Sequence, residues 1–250
     1  MRIGYAMYSA RDLTTDPTSM RNVLKALSQM GYEGVEFFLY NGTEALQLKA
    51  MLEEYSLAAI GTHVHKPRWD ADTQGEIIFA QQAGIPYLVY PWIAPELRNE
   101  AFYESLPRTL KGLSALCEEK GIRLLYHNHD FEFEMLNGDP ILDYLLTQED
   151  SFALELDTFW TQYAGVDAVG FLRKYVGRIP MIHVKDYLGV KDGEPEFTAI
   201  GTGKLDNTAV IRAARELGKE WLIVELDNSP LDPLESARIS IEAIKKILNE

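Results

Sequence analysis

Residues 121–134 read GIRLLYHNHDFEFE, and the order of residue types in this stretch decides the fold class. Gly121 follows a helical pattern and can take the left-handed conformation that ends a helix. An apolar run starts at once, IRLLY at 122–126, and closes on His127, Asn128 and His129. A glycine-ended helix feeding a short buried strand is the junction of an alternating αβ chain, and polar side chains crowd the strand's far end. Gly31, Gly84, Gly177 and Gly218 mark the same junction elsewhere.

Worked outward from that stretch, short apolar runs alternate with segments of helical period. Strands are expected at 3–8, 34–40, 57–65, 86–92, 122–129, 152–157, 180–186 and 220–227. Helices are expected near 19–30, 44–55, 71–83, 98–119, 139–147, 167–176, 206–217 and 232–248. Most of the strands are continuously apolar rather than alternating, which fits a parallel sheet covered by helices. Eight βα units in 250 residues predict one (β/α)8 TIM barrel domain spanning 1–250, with a doubly wound open sheet as the alternative.

Composition narrows the function. Hydrophobic residues at 46% and charged residues at 25% describe a globular chain, and a net charge of −14 repels phosphate backbones and anionic lipid. Neither nucleic acid nor a membrane is therefore expected as a partner. One cysteine, Cys117, leaves no internal disulfide to form. MRIGYAMYSARD lacks a secretory pattern, and no apolar run approaches the ~18 residues of a membrane span, so a cytoplasmic protein is expected.

The five histidines, His63, His65, His127, His129 and His183, all fall at the ends of expected strands, the face on which barrel enzymes build their sites. Glu36, Asp157, Asp186, Glu225 and Asp227 join them there, and carboxylates within apolar strands are costly unless paired or bound to a cation. Residues two apart share a strand face. His63 with His65, His127 with His129, Glu155 with Asp157, His183 with Lys185, and Glu225 with Asp227 thus form same-side pairs. His, Asp, His and Glu from the fifth to eighth strands can meet as one mononuclear site, suited to Mn, Co, Fe, Ni or Zn. Trp69, Trp92 and Trp160 follow strand ends, where an indole can stack on a sugar ring. Gly201-Thr202-Gly203 reads either as an anion-binding loop or as a turn into the next helix.

YHNHDFEFE (126–134), LELDTFW (154–160) with YAGVD (163–167), RIPMIHVKDY (178–187), IGTGKLD (200–206) and IVELD (223–227) resemble the sugar phosphate isomerase/epimerase proteins along the whole chain. These belong to the xylose isomerase-like barrel superfamily, which also contains inosose dehydratases, ketose 3-epimerases and endonuclease IV. The resemblance implies one divalent metal held by Glu, Asp, His and Glu, here Asp157, His183 and Glu225. The fifth-strand glutamate is replaced by His127, so His127, His129 or a water completes the set.

The same resemblance implies proton abstraction beside a carbonyl of a keto-sugar or cyclitol through an enediolate, with two glutamates as the acid/base pair in the epimerases. With one of them absent, His129, His65, Lys185 and Glu225 are the acid/base candidates; Glu36, His63, Trp69, Trp92, Trp160, Asp186 and Asp227 are the substrate-contact candidates. The expected activity is isomerase or epimerase, and inosose dehydratase-like elimination, suggested by the H-x-K-D stretch, is its rival. An inactive carbohydrate-binding barrel and an abasic-site endonuclease are weaker readings, the latter opposed by the acidic charge. A homodimer or homotetramer is expected of such barrels.

Overall fold

In the computed structural model, which describes residues 1–249, eight strands run parallel and close into a ring. They are β1 (Arg2–Ala6), β2 (Gly34–Phe37), β3 (Ala58–His63), β4 (Tyr87–Tyr90), β5 (Arg123–His127), β6 (Ala153–Asp157), β7 (Met181–Val184) and β8 (Trp221–Val224). Each pairs with its neighbours in chain order, and β1 pairs β8 to complete the barrel. Registers Asp157↔His183, His127↔Glu155 and Ile223↔His183 bring the polar ends of β5 to β8 to similar heights.

The surrounding helices are α1 (Pro17–Met30), α2 (Ala45–Glu54), α3 (Lys66–Ala83), α4 (Glu100–Glu118), α5 (Ile141–Gln148), α6 (Thr158–Tyr163), α7 (Ala168–Lys174), α8 (Thr208–Glu216) and α9 (Pro233–Asn249). Local chemistry sets their ends. Asp16 accepts from the Thr18 and Ser19 amides at 2.7 and 3.0 Å, and Gly31 closes α1 at φ 92°. Two helical expectations change. The segment from 167 gains a separate preceding turn, α6, whose first turn is capped by Asp157 Oδ1 accepting from Trp160 N at 2.9 Å. Helix α3 begins five residues early, at Lys66, and kinks at Asp72.

Side chains alternate across the barrel wall. Tyr126, Leu154, Leu156, Ile182, Val184, Leu222 and Val224 face outward into the main core beneath the helices. Leu125, Ala153, Met181 and Ile223 point inward and, with Ala6, Ile60, Val89 and Trp221, fill the lower barrel. After Val184 the chain leaves the wall for an antiparallel hairpin, Asp186–Lys191 with Glu194–Thr198. No helix among the described residues is long and apolar enough to cross a membrane.

Candidate functional site

Two residues above the apolar floor, the inward positions become polar. Leu125 is followed by His127 and His129, Ala153 by Glu155 and Asp157, Met181 by His183 and Lys185, and Ile223 by Glu225 and Asp227. The strand period thus builds a lower layer of His127, Glu155, His183 and Glu225 and an upper layer of His129, Asp157, Lys185 and Asp227.

The lower layer is dense. Glu155 Oε2 lies 2.8 Å from His63 Nε2, 2.9 Å from His127 Nδ1 and 3.3 Å from His183 Nε2. Glu36 Oε2 approaches His183 Nε2 at 2.8 Å and His63 Nε2 at 3.2 Å. Gly61 makes room for it: a Cβ there would sit 3.1 Å from Glu36 Oε1. On its other edge His183 Nδ1 meets Glu225 Oε2 at 2.9 Å, and His127 Nε2 stands 3.8 Å from Asp157 Oδ2. Above them the Lys185 ammonium is 2.9 Å from Asp227 Oδ1, 3.0 Å from Glu225 Oε2 and 3.2 Å from Asp157 Oδ2.

Charge follows from these neighbours. Burial disfavours the His63 cation, but Glu36 and Glu155 outweigh it and hold its pKa at about 10. His183 is likewise raised, against burial, by Glu155, Glu36 and Glu225. Glu155 and Glu225 overcome the same penalty and stay ionised, held low by His183 and His63 and by Lys185 and His183 respectively. Burial and the nearby His127 and Lys185 charges keep His129 neutral, and burial with His63 brings His65 down to about 4.

The 127–133 loop is fixed from below by a residue that sequence reasoning missed. Glu132 is fully buried and accepts from Tyr126 Oη at 2.6 Å and from the His129 amide at 2.7 Å. Its burial pushes its pKa up to about 8. Glu155, on the same strand face as Asp157, also belongs to the site, and its signal in the sequence is that of Glu36, a carboxylate in an otherwise apolar strand. Arg98 was also missed. It lines the cavity with its guanidinium 3.5 Å over the Phe131 ring.

Above the layers opens a cavity of about 700 Å³ that His63, His65, His127, His129, Trp92, Trp160, Lys185, Glu225 and Asp227 help to line. Three substrate-contact expectations do not survive. Trp69 is 3% exposed inside α3 and belongs to the main core, because the early start of the helix turns its indole inward. Asp186 faces away from the cavity. Its carboxylate accepts from the amides of Tyr187, Gly201, Gly203 and Leu205 at 2.8 to 3.0 Å. That settles the Gly-Thr-Gly stretch as a pinned turn rather than an anion loop, and a Cβ at Gly203 would collide with Asp186. Glu36 lies deep against two imidazoles rather than on the cavity wall.

The donor set fits a divalent metal. His127, Asp157, His183 and Glu225 bring ligand atoms within 4.8 Å of one another, as do His63, His127, Glu155 and His183. Glu36 Oε1, Glu155 Oε1, Asp157 Oδ2 and His183 Nε2 are buried without a hydrogen-bond partner. The last two have charged neighbours in reach but misaligned, as expected of groups that converge on a common centre rather than on each other. Mixed nitrogen and oxygen donors suit the transition metals and zinc.

Fold and site together define a (β/α)8 barrel with a buried carboxylate–imidazole centre at the strands' C-terminal ends. The xylose isomerase-like TIM barrel family matches residues 24–247, and the chain belongs to it. An inosose dehydratase of Clostridium perfringens is 31% identical over 172 residues, covering 60% of this chain and 57% of that protein. The chain therefore matches little more than half the length of such relatives. A sugar phosphate isomerase/epimerase of Parabacteroides distasonis superposes at TM-score 0.82 with 21% identity, over 100% of this chain and 98% of that one. The IolI protein with a bound zinc atom superposes at 0.79 with 15% identity, over 100% and 98%. At these identities the two structures speak to the fold alone.

Proposed function

We propose that the chain is a metal-dependent lyase that removes water, or another β-oxygen leaving group, from a keto-cyclitol or keto-sugar. His127, Asp157, His183 and Glu225 would hold the ion, which when bound supplies Lewis-acid polarisation of a carbonyl. His129 faces the cavity as a neutral imidazole and accepts the proton from the carbon beside that carbonyl. The electron pair left on that carbon forms the new double bond as the β-carbon–oxygen bond breaks. Lys185, held at the cavity floor by three carboxylates, donates a proton to the departing oxygen. Trp92 and Trp160 supply flat walls for the ring, and Arg98 offers donors to hydroxyls farther out.

The observation that carries this reading is Lys185. Its ammonium is 1% exposed and lines the cavity, and against burial Asp157, Asp227 and Glu225 raise its pKa and keep it protonated, which supports a role beside the leaving oxygen, whereas the strand-five position used as a second acid/base glutamate in the resembling epimerases is His127. The relatives named inosose dehydratase point the same way. Isomerisation or epimerisation is the second reading, supported by the resemblance of YHNHDFEFE (126–134) and RIPMIHVKDY (178–187) to the sugar phosphate isomerase/epimerase proteins. A panel of inososes, ketoses and 3-keto-glycosides is incubated in deuterated water with the metal-loaded protein and followed by NMR. Appearance of an enone with loss of oxygen supports elimination; solvent deuterium in an otherwise intact substrate or epimer refutes it.

A further inference from the structure

Lys185 and Arg98 both bring a positive charge to the cavity wall, and their surroundings differ. Lys185 is enclosed by Asp157, Glu225 and Asp227 at 2.9 to 3.2 Å. Arg98, on the segment between β4 and α4, forms no ion pair among the described residues, although Asp130 and Glu194 line the same cavity. The buried Glu132 close by keeps its proton to about 8 and so leaves the Arg98 charge uncancelled at neutral pH.

The guanidinium is nonetheless held in place. Its Nε donates to Ile93 O at 3.0 Å, and its central carbon lies 3.5 Å from the centre of the Phe131 ring and 5.4 Å from that of Trp92. The chain beneath it is a single tight turn, Pro95–Leu97, closed by Leu97 N donating to Ala94 O at 2.8 Å and Arg98 N to Pro95 O at 3.1 Å. With Nε taken, Nη1 and Nη2 remain, a parallel pair of donors with no acceptor among the described residues. Two parallel N–H groups on a fixed plane match the two oxygens of a carboxylate better than a single hydroxyl. Being already positioned, they bind with little loss of side-chain freedom.

We infer that Arg98 is a specificity-determining residue that takes a carboxylate on the substrate, so that the keto-cyclitol or keto-sugar proposed above is a ring acid, of the uronate or cyclitol-carboxylate kind. The inference rests on that reading of the cavity as the substrate site. His129, the proposed base, stacks against the same Phe131 ring at 5.4 Å between centroids. One six-membered ring can therefore present its carboxylate to Arg98 and its acidic C–H to His129. A phosphate dianion fits less well, because one guanidinium leaves its second charge uncompensated beside Asp130 and Glu194, and Lys185 is already shared by three carboxylates.

Binding of D-glucuronate, D-glucose and D-glucose 6-phosphate to the metal-loaded full chain, followed by NMR titration, tests this without turnover. Glucuronate is expected to bind about tenfold or more tightly than glucose, and Arg98→Gln, its fold checked by circular dichroism, to lose that preference. If the variant does not fold, the wild-type ranking stands alone. Glucuronate binding no tighter than glucose, or not at all, overturns the inference. So does a preference that survives in folded Arg98→Gln, which would put the carboxylate on the ion or on Lys185, and so does tighter binding of glucose 6-phosphate than of glucuronate. A protein that prefers glucuronate yet yields no enone in the deuterium screen keeps this inference and loses the lyase reading; one that eliminates from neutral rings and shows no preference for glucuronate does the reverse.

Discussion

Replacing Glu132 by Gln tests whether the loop carrying His127 and His129 rests on a neutral carboxyl. Glu132 is fully buried beneath Tyr126 and the His129 amide, and burial raises its pKa from 4.5 to about 8. In the unfolded chain it ionises near 4.5; in the fold it keeps its proton to about 8. Between those values the unfolded state sheds a proton that the folded state retains, so stability falls as pH rises, by about 1.4 kcal/mol per pH unit at the steepest. Over the window this amounts to about 5 kcal/mol; below pH 4.5 the loss is absent, and above 8 it is complete. Glutamine is nearly isosteric and does not ionise. Urea unfolding of both proteins from pH 5 to 9 should show Glu132→Gln gaining on the wild type steadily as pH rises, then levelling off. A difference independent of pH across that range would refute a neutral Glu132.

Lys185→Met should lower stability by about 3–5 kcal/mol, because it leaves Asp157, Glu225 and Asp227 facing one another, and added zinc should recover part of the loss in a thermal melt. Asp186→Ala strands four amides at about 1–3 kcal/mol for each that stays buried, and hydrogen exchange should speed up at 199–205 before the barrel strands respond. With a substrate from the deuterium screen, Trp160→Ala should raise KM about tenfold with a modest change in kcat, while Trp69→Phe should leave KM unmoved; equal KM effects would contradict their placement on and off the cavity.

The barrel was legible because its signal repeats: glycine after helix, apolar strand, polar strand end. Alternation on β5 to β8 also brought His127, Asp157, His183 and Glu225 onto one face, and they do converge within 4.8 Å. What was hidden lies where that rule stops or was not followed through. Asp186 is one residue from Lys185, so parity alone sends it away from the cavity, and the chain then departs into the hairpin. Trp69 depended on where α3 begins, and a kink at Asp72 let the helix start before the regular period. Glu155 shares the face of Asp157, but only the register His127↔Glu155 reveals that it meets three imidazoles. Glu132 gave no periodic signal, since it sits in a single tight turn, Phe131–Phe133, beyond the strand.

Apart from His129 and Asp227, His63 and every charged or imidazole group of the two layers stand on a barrel strand or directly after its last residue, whereas the hairpin and connecting turns provide the cover. The hairpin's return strand is itself clipped to the segment after β8, Asn228 accepting from Phe197 N at 3.1 Å and donating to Pro195 O at 3.2 Å. Toolbox and lid are thus separate pieces of the chain. A laboratory seeking new specificities can exchange residues 188–194 wholesale while the ion-binding floor, anchored in the backbone ladder, keeps its alignment.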